Sequence, residues 1–126
     1  MRSDSLGILL LSGTHERAHY AFVLASGAAA LGRRVVVFAT NSGCHALLTD
    51  WSGLIGAERD ALVQSRGVAG LDALRAAASE LSVRLIACEA GLRAEALESA
   101  PLLAGVEVAG VATFLEAVGE GAMLAI

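Results

Sequence analysis

Short runs of consecutive apolar residues alternate along this chain with stretches in which apolar positions recur every three or four residues. The first run, Leu6-Gly7-Ile8-Leu9-Leu10-Leu11, is closed by Ser12-Gly13-Thr14, residues that favour turns and helix caps. Val35-Val36-Val37-Phe38-Ala39 is a β-branched run of the same kind, and Leu85-Ile86-Ala87-Cys88, Val106 to Gly110 and Ala122 to Ile126 complete the set. Runs this short, without polar alternation, predict strands buried on both faces, as in a parallel sheet.

The intervening stretches predict helices. One runs from about His15 to Leu31, with Tyr20, Leu24, Gly27 and Leu31 at helical spacing and Gly32 as its C-cap. Ala18, Ala21, Phe22, Val23, Ala25, Ala28 and Ala29 make its other faces apolar too, so it needs cover on two sides: the sheet on one, and on the other a neighbouring subunit. Cys44 to Leu48 predicts a short helix. From Thr49 to Gly67 the pattern fades, as in a helix-containing excursion. Leu71, Leu74, Ala78 and Leu81 define another helix, with Arg75 and Glu80 on its outer face, and Leu92 to Ser99 a further one, ended by Pro101. Ala112 to Val118 is the last. Alternating strands and helices imply a single α/β domain over residues 1–126: a mostly parallel five-stranded sheet flanked by helices, a flavodoxin-like three-layer sandwich. In a flavodoxin-like order the first strand lies between the second and third.

Composition narrows the chemistry. Hydrophobic residues make up 56% of the chain and aromatics only 4%, which suits a core of small and aliphatic side chains. A formal net charge of −4, with no basic cluster, argues against a nucleic-acid partner. The N-terminal apolar run Leu6 to Leu11 is shorter than a signal-peptide core and follows Asp4, and the longest apolar helix, Ala18 to Leu31, is too short to span a bilayer, so no targeting segment or membrane partner is expected. Two cysteines, Cys44 and Cys88, make neither a disulfide framework nor a zinc spacing, and they fit a reducing cytoplasm. No metal or other cofactor is predicted: the three histidines lack ligand spacing, Ser12-Gly13-Thr14 lacks the ending of a phosphate-binding loop, and Glu107 and Glu116 lie on different elements.

Cys88 is the principal candidate, because its strand delivers a thiol to the carboxyl edge of the sheet, where loops converge and ligands bind. A cysteine there is read either as a reactive thiol or as a small buried hydrophobe. His15, in the first turn after the first strand, is either its assistant across the sheet's switch point or a solvated first-turn histidine. His19 and His45 are weaker candidates. Trp51 is read as part of a lid, a partner contact or the anchor of a packed loop, with no catalytic role.

Several stretches resemble the DsrE/DsrF/DsrH-like family of small sulfur-relay proteins, which are related to the Tus proteins. Ala25-Ser26-Gly27-Ala28-Ala29-Ala30-Leu31-Gly32 running into Val35 to Thr40 is like the family's first crossover. Gly70-Leu71-Asp72-Ala73-Leu74 through Leu81 leads to Leu85-Ile86-Ala87-Cys88, where family members commonly carry the relay cysteine. Leu103 to Leu115 is similar to the last strand-to-helix passage, while Ser82 stands where the family commonly has a turn glycine.

The resemblance implies a cytoplasmic sulfur carrier or sulfurtransferase that holds a persulfide on a single cysteine, Cys88. Its partners are sulfur donor and acceptor proteins, and it assembles as a homo-oligomer. A helix start beside Cys88 favours the thiolate, whereas Glu89 opposes it. The alternative is a non-catalytic module of the same fold that binds a small ligand or partner protein at that edge. With the first strand between the second and third, Cys44 and Cys88 stand two strand spacings apart, and no disulfide between them is expected.

Overall fold

The computed structural model describes residues 4–126. Its strands are β1 (Leu6–Leu10), β2 (Val35–Ala39), β3 (Arg84–Cys88), β4 (Glu107–Ala109) and β5 (Ala122–Ala125), all parallel, in the order β4-β3-β2-β1-β5. The five-stranded parallel sheet between helices is as expected. The strand order is not flavodoxin-like: β2, rather than β1, lies beside β3. From β1 through β4 every crossover steps the same way, and only the last connection returns past β1 to its far side. Apolar runs identify strands but not the direction of each step, because right-handed crossovers are compatible with either order.

The helices are α1 (His15–Ala30), α2 (Arg59–Ser65), α3 (Leu71–Glu80), α4 (Glu89–Ala94) and α5 (Val111–Val118). Stepping one way places α1 and α3 on one face of the sheet, over Ile8, Leu10, Val37, Leu85 and Ala87. The opposite face, carrying Val36, Phe38, Ile86 and Cys88, is covered by α5 through Phe114 and Val118, with the Phe38 and Phe114 rings stacked at 4.9 Å. Gly7 makes room for this helix, since a Cβ there would lie 3.1 Å from the Phe114 ring and closer still to Val118. A second apolar side of α1 packs on α3 of the same chain, which supplies cover expected from a neighbouring subunit, while Tyr20 stays exposed. The large apolar residues left exposed include Val111 and Leu115 of α5 and Met123 and Leu124 of β5.

Local geometry departs from expectation at four places. The segment after β2 is a 3-10 turn over Asn41–Leu47, earlier than the short helix expected from Cys44. The next discrepancy is α4, which starts directly after Cys88 instead of at Leu92. Ser82 takes φ +61°, so the turn keeps the left-handed backbone of a glycine without having one. Arg75, expected on the outer face of α3, is buried: its guanidinium donates to the carbonyls of Ala46 (3.1 Å), Leu48 (2.5 Å) and Thr49 (3.3 Å) and to Asp72 (3.3 Å). These carbonyls end the 3-10 turn without a further turn to satisfy them, and a fixed cation supplies the missing donors.

The excursion between β2 and α3 is tied down by Asp60. Its carboxylate accepts from His15 Nε2 (2.7 Å), the Leu71 backbone N–H (2.8 Å) and Gln64 Nε2 (2.8 Å), joining the first turns of α1 and α3 through α2. Burial pushes the Asp60 carboxyl up, but these bonds and the His15 ring outweigh it and hold its pKa below the ordinary carboxylate value. Above the unfolded-state value the group is ionised in both states and its contribution is complete. That contribution is lost as pH falls through the lower folded value. Urea unfolding between neutral pH and pH 3 should therefore show a wild-type acid loss that is smaller in Asp60→Ala. At neutral pH the variant should be less stable by about 1–3 kcal/mol for each buried donor left unsatisfied.

Candidate functional site

Cys88 is both the last residue of β3 and the N-cap of α4, with φ −69° and ψ 122°. Its Sγ accepts the Gly91 backbone N–H at 3.3 Å, the bond that Ser, Thr, Asp or Asn usually takes at this position. The close seat of α4 depends on Gly91, because a Cβ there would stand 2.6 Å from Thr40 Oγ1 and 3.0 Å from Thr40 Cα, with the Asn41 nitrogen closer still. The backbone of α4 thus rests on the exit of β2, and this contact sets the position from which Gly91 reaches the sulfur. Glu89, the neighbouring negative charge, is exposed and turned into an ion pair with Arg93 at 2.8 Å. Cys88 itself is 8% exposed, at the carboxyl edge of the sheet.

Cys44 belongs to the same edge but to a different environment. Its thiol is fully buried among the residues of the α1/α3 face and donates to the Ala39 carbonyl at 3.5 Å. Ala39 pairs in register with Ala87, so the two cysteines stand at neighbouring strand ends, contrary to the two-strand separation expected from sequence. Both are free thiols. Burial, followed by repulsion from Cys88, pushes the Cys44 pKa up to about 12; the Cys88 backbone N–H only partly offsets this, and Glu95 adds to the rise. At neutral pH Cys44 remains protonated, which makes it a poor nucleophile.

His15 is neither beside Cys88 nor solvated. It is completely buried, bonded to Asp60, with its ring 5.5 Å from that of His19 and 5.8 Å from that of Trp51. Among the described residues no hydrogen bond joins it to Cys88, which packs with Phe38, Ile86, Phe114 and Val118 on the opposite face. The switch-point reasoning required β1 and β3 to be neighbours, and β2 lies between them. His19 bonds the Ala69 carbonyl at 2.8 Å, and the His45 ring lies beneath Gly53, where a Cβ would stand 2.5 Å from its Nδ1. Trp51 donates to Asp72 at 2.8 Å and anchors its loop on α3. No group of three or more His, Cys, Asp or Glu side chains among the described residues is arranged to hold a metal ion.

Sequence reasoning missed Asp60 and misplaced Arg75. Asp60 lies in the segment without period, where nothing distinguishes it from the other charged residues. Arg75 did carry a signal, because Leu71, Arg75 and Ala78 fall on one helical face and all three are buried.

Comparison with known proteins follows the same lines. Over the full length of both chains, the structure is similar to the crystal structure of the ychN protein from E. coli, with a TM-score of 0.74 and 13% identity. It is also similar to MTH1491 from Methanobacterium thermoautotrophicum, a protein of unknown function, with a TM-score of 0.59 and 21% identity, covering 97% of this chain and 98% of that one. In sequence it is 30% identical over 152 aligned positions to the sulfur carrier protein DsrE2 of Allochromatium vinosum, covering 95% of this chain and 96% of the relative. The model of the DsrE/DsrF-like family matches residues 4–124. With that span matched, and a relative at this identity over nearly its whole length, the chain belongs to the DsrE/DsrF-like family.

Proposed function

We propose that this protein is a cytoplasmic sulfur carrier that holds a persulfide on Cys88 alone and works as a homo-oligomer. The observation that carries the reading is the Cys88 sulfur itself, held at the strand-to-helix junction by the Gly91 N–H. Support comes from the family and from the DsrE2 relative, whose name is that of a sulfur carrier. Among the described residues, no helix is long and apolar enough to cross a membrane.

The transfer needs one nucleophile. The Cys88 thiolate attacks the terminal sulfur of a donor persulfide; the Cys88–sulfur bond forms as the donor's S–S bond breaks, and the donor leaves as a thiolate. In the second step an acceptor thiolate attacks the terminal sulfur, and Cys88 leaves as a thiolate in its turn. No net oxidant is consumed. A hydrogen bond from a backbone N–H supports negative charge on the sulfur at the start and end of this cycle. Cys44, protonated and enclosed, serves as core, and His15 serves the Asp60 tie.

Incubation with a cysteine desulfurase and cysteine, followed by intact-mass analysis, should show one added sulfur that dithiothreitol removes. Cys88→Ser should abolish the addition, and Cys44→Ser should retain most of it. No addition to the folded wild-type chain would favour the ligand-binding module instead. Alkylation at neutral pH should label Cys88 and spare Cys44 until the chain is unfolded, because Cys44 is buried and its pKa is raised to about 12. His15→Ala should lower stability yet leave the pH profile of Cys88 alkylation where it is in the wild type. A shifted profile would return His15 to the thiol.

A further inference from the structure

The two edges of the sheet are finished differently. At one edge, β4 is only three residues long, and its Glu107 is held by Arg84 through bonds of 2.6 and 3.0 Å. A short, charged edge strand is a poor template for another strand. At the other edge, β5 reads Ala122-Met123-Leu124-Ala125, with no charge and no proline, and all four residues are exposed. Met123 is 49% and Leu124 43% exposed although their side chains point to opposite faces, so neither helical layer covers this strand.

Among the described residues, nothing is bonded to its outer backbone. Ala122 N–H bonds the Ser5 carbonyl at 3.2 Å and Ile126 N–H bonds that of Leu9 at 2.8 Å, both toward β1. Alternation along a strand then turns the N–H and C=O of Met123 and Ala125 away from the sheet. Charge marks both ends of this edge. Glu120 stands just before β5, and Arg17 lies beyond its end, lining a hollow with Leu11, Ser12, Ala125 and Ile126. Among the described residues neither Glu120 nor Arg17 makes an ion pair.

We infer that the β5 edges of two copies pair antiparallel about a two-fold axis, joining the sheets into one of ten strands. This rests on the homo-oligomer reading above and names the surface that forms it. With Met123 opposite its own counterpart, the two residues exchange both N–H···O bonds, and position 120 of one copy faces position 126 of the other. Glu120 of each copy is thereby set beside Arg17 of the other. A parallel arrangement would put like charges together and could not close. This complementarity of the edge with itself favours a second copy over an unrelated strand. Exposed apolar side chains beside β5 on both faces are covered in the same event.

Light scattering on the size-separated wild-type chain at micromolar concentration should give twice the chain mass or a multiple of it. Met123→Lys should halve that mass while leaving the circular dichroism spectrum unchanged. Arg17→Glu and Glu120→Arg should each weaken association by about tenfold or more, and the double variant should recover it, because the charge pair is restored with its sign reversed. A monomeric wild type would overturn both the oligomer reading and this interface. An oligomer that Met123→Lys does not divide, or a double variant no better than the single ones, would overturn the β5 pairing alone. Sulfur loading of Cys88 is read per chain, so its loss would be a separate failure.

Discussion

Three successive crossovers that step in the same direction govern this structure. A parallel strand pair demands a right-handed connection, and repeating the step from β1 to β4 puts every early helix on one face. The opposite face is left to α5, eight residues long, which stacks Phe114 on Phe38 and enters the space left by the missing side chain of Gly7. The same constraint separates the two kinds of chemistry on the chain. Cys88 faces the α5 side, while the buried polar tie of His15 and Asp60 and the guanidinium of Arg75 lie with α1, α2 and α3.

Those buried polar groups stabilise the segment that the hydrophobic pattern cannot specify. Between Thr49 and Gly70 there are few apolar anchors, and the chain is held instead by a carboxylate with three donors and a guanidinium with three backbone carbonyls. Each is an arrangement in which loss of one partner strands the others away from water, so these contacts specify one conformation of the excursion. They also hold the 3-10 turn over the ends of β2 and β3, against which α4 rests.

Much of the fold was legible from sequence because strand and helix leave different periodicities. All five strands and the long first helix fall where the apolar runs and repeats place them, and Cys88 falls at the end of its strand. What was not legible is what depends on direction or on single polar contacts. Apolar runs do not say that β2 adjoins β3, so the distance between the cysteines and the partnership of His15 with Cys88 were both derived from the wrong neighbour. The start of α4 was hidden because Glu89-Ala90-Gly91 resembles a turn, and glycine there answers to the approach of Thr40 and Asn41. Asp60 gave no sign at all, being one charge among several in an aperiodic stretch.

The central claim is that the sulfur resides on Cys88. It is tested most directly by locating that sulfur after loading, with free thiols and persulfides alkylated and the chain cleaved at arginine. The extra sulfur should appear on the peptide Leu85–Arg93, which contains Cys88, while the peptide Val35–Arg59, which contains Cys44, keeps its unmodified mass apart from the alkyl group. Sulfur found on Val35–Arg59, or the two peptides recovered joined by a disulfide, would contradict the account.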